Sequence, residues 1–318
     1  MRDSASPTGR RRTVVSPGQT VVSVITIFLN AEQFMEEALE SAFAQTYHEW
    51  ELLLVDDGST DRSRAIARRY ADRYPEQVRY LEHPGHTNRG MSASRNLGIR
   101  HATGEYVAFL DADDVWLPHK LEEQVPILDS QPEAAMVYGL SEFWYSWTGA
   151  REDSDRDFLH HLGVPSHSLI RPPALLPHFF LAQDAAIPGP TDVLVRREAI
   201  DRVGGFEEIF PGAYEDEAFY AKICLTAPVF PVDTCWDRYR QHPDSSNSAV
   251  ERARQEYSTR LFFLNWLASY LDEQGVQDSE ILRGVRKEIR RCRHPRASRL
   301  WRNRSTYVRR LVPLRARH

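Results

Sequence analysis

Cysteine is scarce in these 318 residues: Cys224, Cys235 and Cys292 make up the whole complement, and no two stand at a metal-ligand or redox spacing. Thiolate metal sites and dithiol chemistry are thereby excluded, and the usage fits a reducing cytosol with the three thiols as packing residues. Long apolar runs are also missing. The longest candidate, residues 261–267, falls far short of the roughly 18 needed to span a bilayer. Glycine is absent where two nucleotide-binding classes require it: residues 28–40, directly after the first expected strand, contain none. A dehydrogenase fingerprint (Gly-x-Gly-x-x-Gly) and the glycine-rich phosphate loop expected of a sugar nucleotidyltransferase therefore do not fit there. The basic run Arg10-Arg11-Arg12 has no apolar stretch behind it, so residues 1–20 read as a disordered leader and not a secretory signal.

What is present is ample for a packed core: 42% hydrophobic and 11% aromatic residues. The net charge of −5 hides an asymmetry. From Arg283 to His318 there are 14 Arg and Lys against one acid, Glu288, so that stretch carries +13 and the remaining 282 residues carry −18. An acidic body with a basic end gives that end a partner of its own.

β-branched residues run almost unbroken over 21–27, the pattern of a strand buried on both faces. Helical spacing follows over 31–45, then strand 51–55, helix 61–74, strand 78–81, helix 91–102 and strand 106–110. Alternating strand and helix predicts βαβ units and a mostly parallel, doubly wound sheet. Beyond Tyr138 the period fades; residues 143–190 read as long loops and short helices. Regularity returns with a strand over 191–196, a helix over 197–203 and helices over 249–290.

Both acidic clusters fall where such sheets bind ligands, beyond the carboxyl ends of strands. Asp111-Ala112-Asp113-Asp114 offers two carboxylates at i and i+2, able to share one divalent cation; oxygen donors favour Mg²⁺ or Mn²⁺. The competing reading is a solvated turn that caps the helix near Pro118. Asp57, in Asp56-Asp57-Gly58-Ser59-Thr60-Asp61, can accept an N–H of a nucleotide base, with Asp61 as the helix cap; a purely structural Asx turn is the alternative. Arg95, in the turn and helix start of residues 88–98, suits a phosphate or base carbonyl, or else an ordinary ion pair. Glu215 and Asp216 open a helix whose N–H groups favour the ionised form, so either acid can serve as general base, or simply complement the helix dipole. Residues 236–247 mix Arg240 and other cations with aromatics and hydroxyls. They read as a segment folding over a diphosphate, with His242 as metal ligand or phosphate donor, or alternatively facing solvent.

Taken together, these stretches resemble the family 2 glycosyltransferases. The matching residues are Val22-Ser-Val-Ile25, Asn30, Gln45-Thr46-Tyr47, Leu54 through Asp61, Ser94-Arg-Asn-Leu-Gly98, Gly104 through Asp114, Gly204-Gly-Phe206, Glu215-Asp216 and Tyr239-Arg-Gln-His242, in family order across residues 21–247. The resemblance implies the GT-A fold, with a nucleotide-binding half over 21–120, an acceptor-side half over 121–247 and a helical extension with a basic tail over 248–318. It implies Asp57 on the base with Arg95 nearby, Asp111 and Asp113 at the metal with Asp113 the direct ligand, and Asp216 as base. The implied activity is inverting transfer of a sugar from a nucleoside diphosphate, typically UDP, to an acceptor hydroxyl in polysaccharide or glycolipid synthesis. One departure stands out: where the family commonly has Pro-x-Tyr-Asn after the first strand, this chain has Ile27-Phe-Leu-Asn30, without the aromatic.

A binding module without catalysis is the competing class, opposed by the joint presence of Asp111, Asp113 and Asp216. The apolar residues interleaved with the tail arginines (Leu300, Trp301, Tyr307, Leu311) suit anionic lipid, which would put the protein in the cytoplasm at the inner face of the membrane; an ordinary solvated or disordered tail is the equal alternative. Nucleic acid is not an expected partner.

Overall fold

In the computed structural model the described residues are 22–210, 212–245 and 256–293. The leader over 1–20 and the tail beyond Arg293 lie outside them.

The expected βαβ series is present. β1 (Val22–Phe28), β2 (Trp50–Asp56), β3 (Val78–Glu82) and β4 (Tyr106–Phe109) alternate with α1 (Met35–Phe43), α2 (Ser63–Arg73) and α3 (Met91–His101). Next come β5 (Val115–Trp116), α4 (Lys120–Ser130), β6 (Met136–Trp144), β7 (Phe158–Leu159), β8 (Leu194–Arg196), α5 (Arg197–Val203), α6 (Glu215–Thr226) and β9 (Val229–Arg240). Helices α7 (Glu256–Glu273) and α8 (Ser279–Arg293) follow.

One nine-stranded sheet runs β3-β2-β1-β4-β8-β6-β9-β5, with β7 paired to β6. The first four strands are parallel, and β1, β2 and β4 are buried along their whole length, as the pattern predicts. β8 then enters antiparallel between β4 and β6, and β6 pairs with β9 in parallel. The sheet is therefore more mixed than its first half suggests.

Alternate residues of one strand serve two cores. Ile25 and Ile27 face the core that α5, α6, α7 and α8 complete, whereas Val22, Val24 and Phe28 face the one completed by α1, α2 and α4. Gly98 lets α3 lie against β1: a Cβ there would come within 2.5 Å of Ile25 Cγ2. The C-terminal helices belong to the main body, since Phe263, Leu267, Ile281 and Val285 are buried in the first core. The cysteines are free thiols, Cys224 and Cys292 buried and Cys235 half-buried.

Two stretches differ from the sequence expectation. β6 continues to Trp144 although its periodicity fades at Tyr138, because its last five residues are only half-buried and are held by cross-strand pairing with β7 and β9. Residues 236–240, expected as part of a segment folding over a diphosphate, form the end of β9 for the same reason. Among the described residues no helix is long and apolar enough to cross a membrane.

Candidate active site

At the carboxyl ends of β1, β2 and β4 the chain leaves the sheet in turns, and these open into a cavity of about 1400 Å³. Asp57, Arg95, Asp111, Asp113, Glu215, Asp216 and His242 all stand in its wall. The structure thus brings together seven of the eight residues singled out above.

β2 ends in Asp56, whose Oδ1 accepts the N–H groups of Gly58 (3.1 Å) and Ser59 (2.8 Å) in an Asx turn. Gly58 has φ +89°, and a Cβ there would stand 2.8 Å from the Asn88 nitrogen, so only glycine closes this turn against the next loop. Asp57 is thereby aimed across at the start of α3. Its two oxygens accept the N–H groups of Arg89 (2.7 Å) and Gly90 (3.0 Å). Each oxygen keeps a second lone pair, so the buried carboxylate can still accept from a ligand in the cavity. Asp61 acts as the local cap, accepting from Ser63 N–H at 2.9 Å and Glu32 N–H at 3.0 Å.

Arg95 is 2% exposed and spans two acids: Nη1 donates to Glu215 Oε1 (2.7 Å) and Nη2 to Asp111 Oδ1 (3.0 Å). Burial alone would lower its pKa, but the charges of Asp111 and Glu215 carry it above the ordinary value. The ion-pair alternative is therefore the one observed. Arg95 ties the end of β4 to the start of α6 and does not offer its fork to a nucleotide.

Asp113 Oδ2 faces His242 Nε2 at 3.0 Å, and both side chains border the cavity. Asp111 is raised above the usual carboxylate range, first by burial and then by Asp113, with Arg95 opposing. Two carboxylates and an imidazole are the donor types that hard and borderline divalent cations take, so this set fits Mn²⁺ or Mg²⁺. The donor atoms of Asp111, Asp113 and His242 are not gathered within 4.8 Å of one another; among the described residues only Asp56, Glu82 and His86 are. In that second group Glu82 already takes two hydrogen bonds from Arg64 and one from Tyr80, whereas His86 Nδ1 makes no hydrogen bond.

Glu215 and Asp216 begin α6 after Tyr214, which adopts a left-handed φ of +65°. Glu215 is buried against Arg95, whereas Asp216 Oδ1 accepts only Glu217 N–H, at 2.8 Å. The helix start was expected to keep Asp216 ionised. Instead its pKa is pushed up to about 7, first by burial and then by the charge of Glu215, with Arg95 too committed to cancel them.

Arg240 is the residue not brought in. Its side chain leaves the other face of β9, donating to Asp113 O (2.7 Å) and Glu37 Oε2 (2.6 Å). There it lies 4.5 Å over Trp144, 4.7 Å over Phe34 and 5.3 Å over Trp147. Instead of the expected diphosphate contact it forms a strut beneath the turn of residues 111–114, because strand alternation turns residue 240 away from the cavity that Tyr239 and Gln241 line.

Two acids were missed. Asp114 is buried, accepting Thr191 Oγ1 (2.7 Å) and Arg240 N–H (3.0 Å), and is raised well above the usual range by burial and then Asp113. Glu217 lines the cavity beside Asp216 with Oε2 unbonded, and burial followed by Asp216 pushes it up to about 8. The run of three consecutive acids at 215–217 was the available signal.

With this geometry in place, the comparisons with known proteins fall into line. The sequence profile described as Glycosyl transferase family 2 matches residues 23–204, more than half of the chain. The chain belongs to glycosyltransferase family 2. Among sequence relatives, the "Putative glycosyltransferase EpsE" of Bacillus subtilis is 42% identical over 116 residues, 36% of this chain and 41% of that protein. An Escherichia coli protein named "UDP-Glc:alpha-D-GlcNAc-diphosphoundecaprenol beta-1,3-glucosyltransferase WfgD" is 35% identical over 111 residues, 34% of this chain and 41% of the relative. The match thus spans less than half the length of these relatives. In three dimensions S. aureus TarS 1-349, a structure solved in complex with UDP-GlcNAc, superposes with TM-score 0.59 at 21% identity, covering 78% of this chain and 66% of that one. The mannosyltransferase PcManGT from Pyrobaculum calidifontis, solved with GDP-Man and Mn²⁺, gives TM-score 0.55 at 21% identity over 92% and 83%. At such identities the likeness establishes the fold, which is GT-A.

Proposed function

We propose that this chain transfers a sugar from a nucleoside diphosphate, UDP in the first instance, to an acceptor hydroxyl by a single inverting displacement. The observation that carries this reading is the convergence of Asp57, Asp113 and Asp216 on one cavity beyond the strand ends. TarS and PcManGT, each solved with a nucleotide-sugar, and the donor and lipid-linked acceptor in the WfgD name support it.

Asp57 accepts an N–H of the base. Asp113, with Asp111 and His242, would hold Mn²⁺ or Mg²⁺, which when bound neutralises charge on the leaving diphosphate. Asp216 takes the acceptor O–H proton as that oxygen bonds to the anomeric carbon. The bond from that carbon to the diphosphate breaks, and the electron pair leaves with the diphosphate. Arg95 keeps Asp111 and Glu215 paired, while Asp216, pushed up to about 7, and its neighbour Glu217, pushed up to about 8, can exchange a proton near neutrality.

Titration of UDP with and without Mn²⁺ tests the assignment. The wild-type protein should bind UDP more tightly with Mn²⁺, and Asp113→Ala should weaken the Mn²⁺-dependent binding about 10- to 100-fold. Equal binding by both proteins would remove the cation from Asp113. A binding module without catalysis predicts the same titration but no slow hydrolysis of any UDP-sugar, which separates the two readings.

The pH dependence follows from Asp216. A base must be deprotonated, so kcat/KM should rise about tenfold per pH unit up to about 7 and level off above it. The stability contribution of this group runs the other way. Its pKa is raised in the fold, so from Asp216 alone stability falls as pH climbs from the ordinary carboxylate range to 7. Lower activity at pH 6 than at pH 7, paired with a melting temperature that this group leaves no lower, is therefore the expected result.

We place the protein at the cytoplasmic face of an anionic membrane, where a lipid-linked acceptor would lie. α8 buries Ile281, Val285, Glu288 and Cys292, and exposes Arg283, Arg286, Lys287 and Arg290 on its other side. In flotation with vesicles of phosphatidylglycerol and phosphatidylcholine, the wild-type chain should rise with the lipid. The quadruple variant Arg283→Glu, Arg286→Glu, Lys287→Glu, Arg290→Glu should stay behind, and equal flotation would reject the contact.

A further inference from the structure

The cavity has a second wall that the transfer step above does not use. β6, β7 and β9 lie side by side, and their register sets Phe143 opposite both Phe158 and Tyr239. Neighbouring positions on paired strands point to the same face. Phe143 stacks on Phe158 at 4.8 Å and 20°, and meets Tyr239 edge-on at 5.0 Å and His160 edge-on at 4.2 Å. Tyr145 extends the row, parallel to Phe158 at 6.5 Å, with the Arg156 guanidinium 4.0 Å over its ring. Phe143, Tyr145, Tyr239 and His160 line the same cavity as Asp216, and Asp153 and Arg156 stand beside them in its wall. The next residues along the strands, Trp144 and Arg240, face the opposite side, so the aromatic row is a product of strand alternation.

An aromatic wall bordered by charged side chains suits few ligands. Aliphatic C–H groups that carry partial positive charge settle on the negative face of an aromatic ring, and hydroxyls at their rim need carboxylate, amide or guanidinium partners. A pyranose has this construction, with axial C–H bonds on its faces and hydroxyls at its edge. Here Asp153 and Arg156, paired at 2.6 Å, and Gln241, whose Nε2 donates to Tyr239 O, border the wall and have further lone pairs and N–H groups for a rim hydroxyl. A nucleobase is the other flat ligand in the reaction, but it belongs elsewhere. Asp57 follows β2, and β2 lies four strand positions from β6, about 19 Å along the sheet. The cation turn after β4 lies between them.

We infer that the row formed by Phe143, Tyr145 and Tyr239 is the acceptor subsite, and that its occupant is a saccharide ring stacked on the aromatic faces, not the alkyl chain of a lipid carrier. This deepens the proposed function and rests on it. In this arrangement the acceptor hydroxyl points from the aromatic wall toward Asp216.

Saturation-transfer difference NMR on the full chain with UDP and Mn²⁺ tests the inference, using octyl α-D-glucopyranoside, octyl N-acetyl-α-D-glucosaminide and octyl α-D-mannopyranoside as probes, with octyl tetraethylene glycol as the sugar-free control. The expected result is saturation of the ring protons of at least one glycoside, reduced at least threefold in Tyr145→Ala and in Phe143→Ala. The thermal melt and the UDP titration of each variant report whether it is folded, and Tyr145, half-exposed, is the variant that least disturbs the sheet. Three outcomes overturn the inference: no ring saturation with any glycoside, ring saturation unchanged in both variants, or saturation confined to octyl protons as in the control. If UDP binds with Mn²⁺ while no glycoside does, the subsite falls and the transferase reading stands; if UDP does not bind either, both fall.

Discussion

Asp216→Asn is expected to lower kcat by about 10³-fold while leaving UDP affinity within a factor of about two, in the range for loss of a positioned general base. Asparagine preserves the shape of the side chain and its acceptance of Glu217 N–H, so the helix start should stay intact. What disappears is the cavity acid whose pKa, at about 7, lies nearest neutrality. The same variant should lose the acid limb of the pH profile, because the group that titrates at about 7 has been removed. The measurement is a pH series of UDP release from the UDP-sugar that the wild-type enzyme turns over. A variant retaining more than about a tenth of wild-type kcat would transfer the base role to Glu217, the only other acid of that run without a committed partner.

The second large effect is on stability. Arg95→Met should destabilise the fold by about 3–5 kcal/mol, the range observed when one partner of a buried ion pair is removed. Methionine fills much of the arginine volume and can still lie against Phe206, which the guanidinium carbon approaches to 5.4 Å. The loss is therefore electrostatic and not a cavity effect. Glu215, 4% exposed, would be left buried without its cation, and Asp111 would lose the group that opposes its rise. Chemical denaturation of wild type and variant reads this directly. The double variant Arg95→Met, Glu215→Gln should recover part of the loss, since it removes one of the two stranded charges. A single variant within 1 kcal/mol of wild type would show that water reaches Glu215, contrary to its burial.

Position and partnership account for the divergent fates of the acids. Asp111, Asp113 and Asp114 follow one strand, yet Asp111 goes to Arg95, Asp114 to Thr191 and the Arg240 backbone, and only Asp113 meets His242. Spacing alone ranks Asp111 and Asp113 equally as ligands. Their difference arises from Arg95 on α3 and His242 beyond β9, residues 16 and 129 positions away.

The first half of the sheet was legible in the chain itself. Strands buried on both faces must be continuously apolar, and the turns that end them must be built from Asp, Gly and Ser, so local sequence and local structure coincide from β1 to β4. The second half was not. β6 and β9 become regular only by pairing with each other across the fold, so neither shows a period of its own past Tyr138 and Val232. Arg240 was misplaced for that reason: without knowledge of the strand, nothing in the neighbouring residues says which face it takes. The pKa of Asp216 was likewise beyond reach, because a helix start favours the charged form and only burial beside Glu215 reverses it. Sequence by itself determined which residue types stand at the strand ends; tertiary structure decided which of them face the cavity and which are spent on one another, since pairing partners and burial are set by contacts between distant segments.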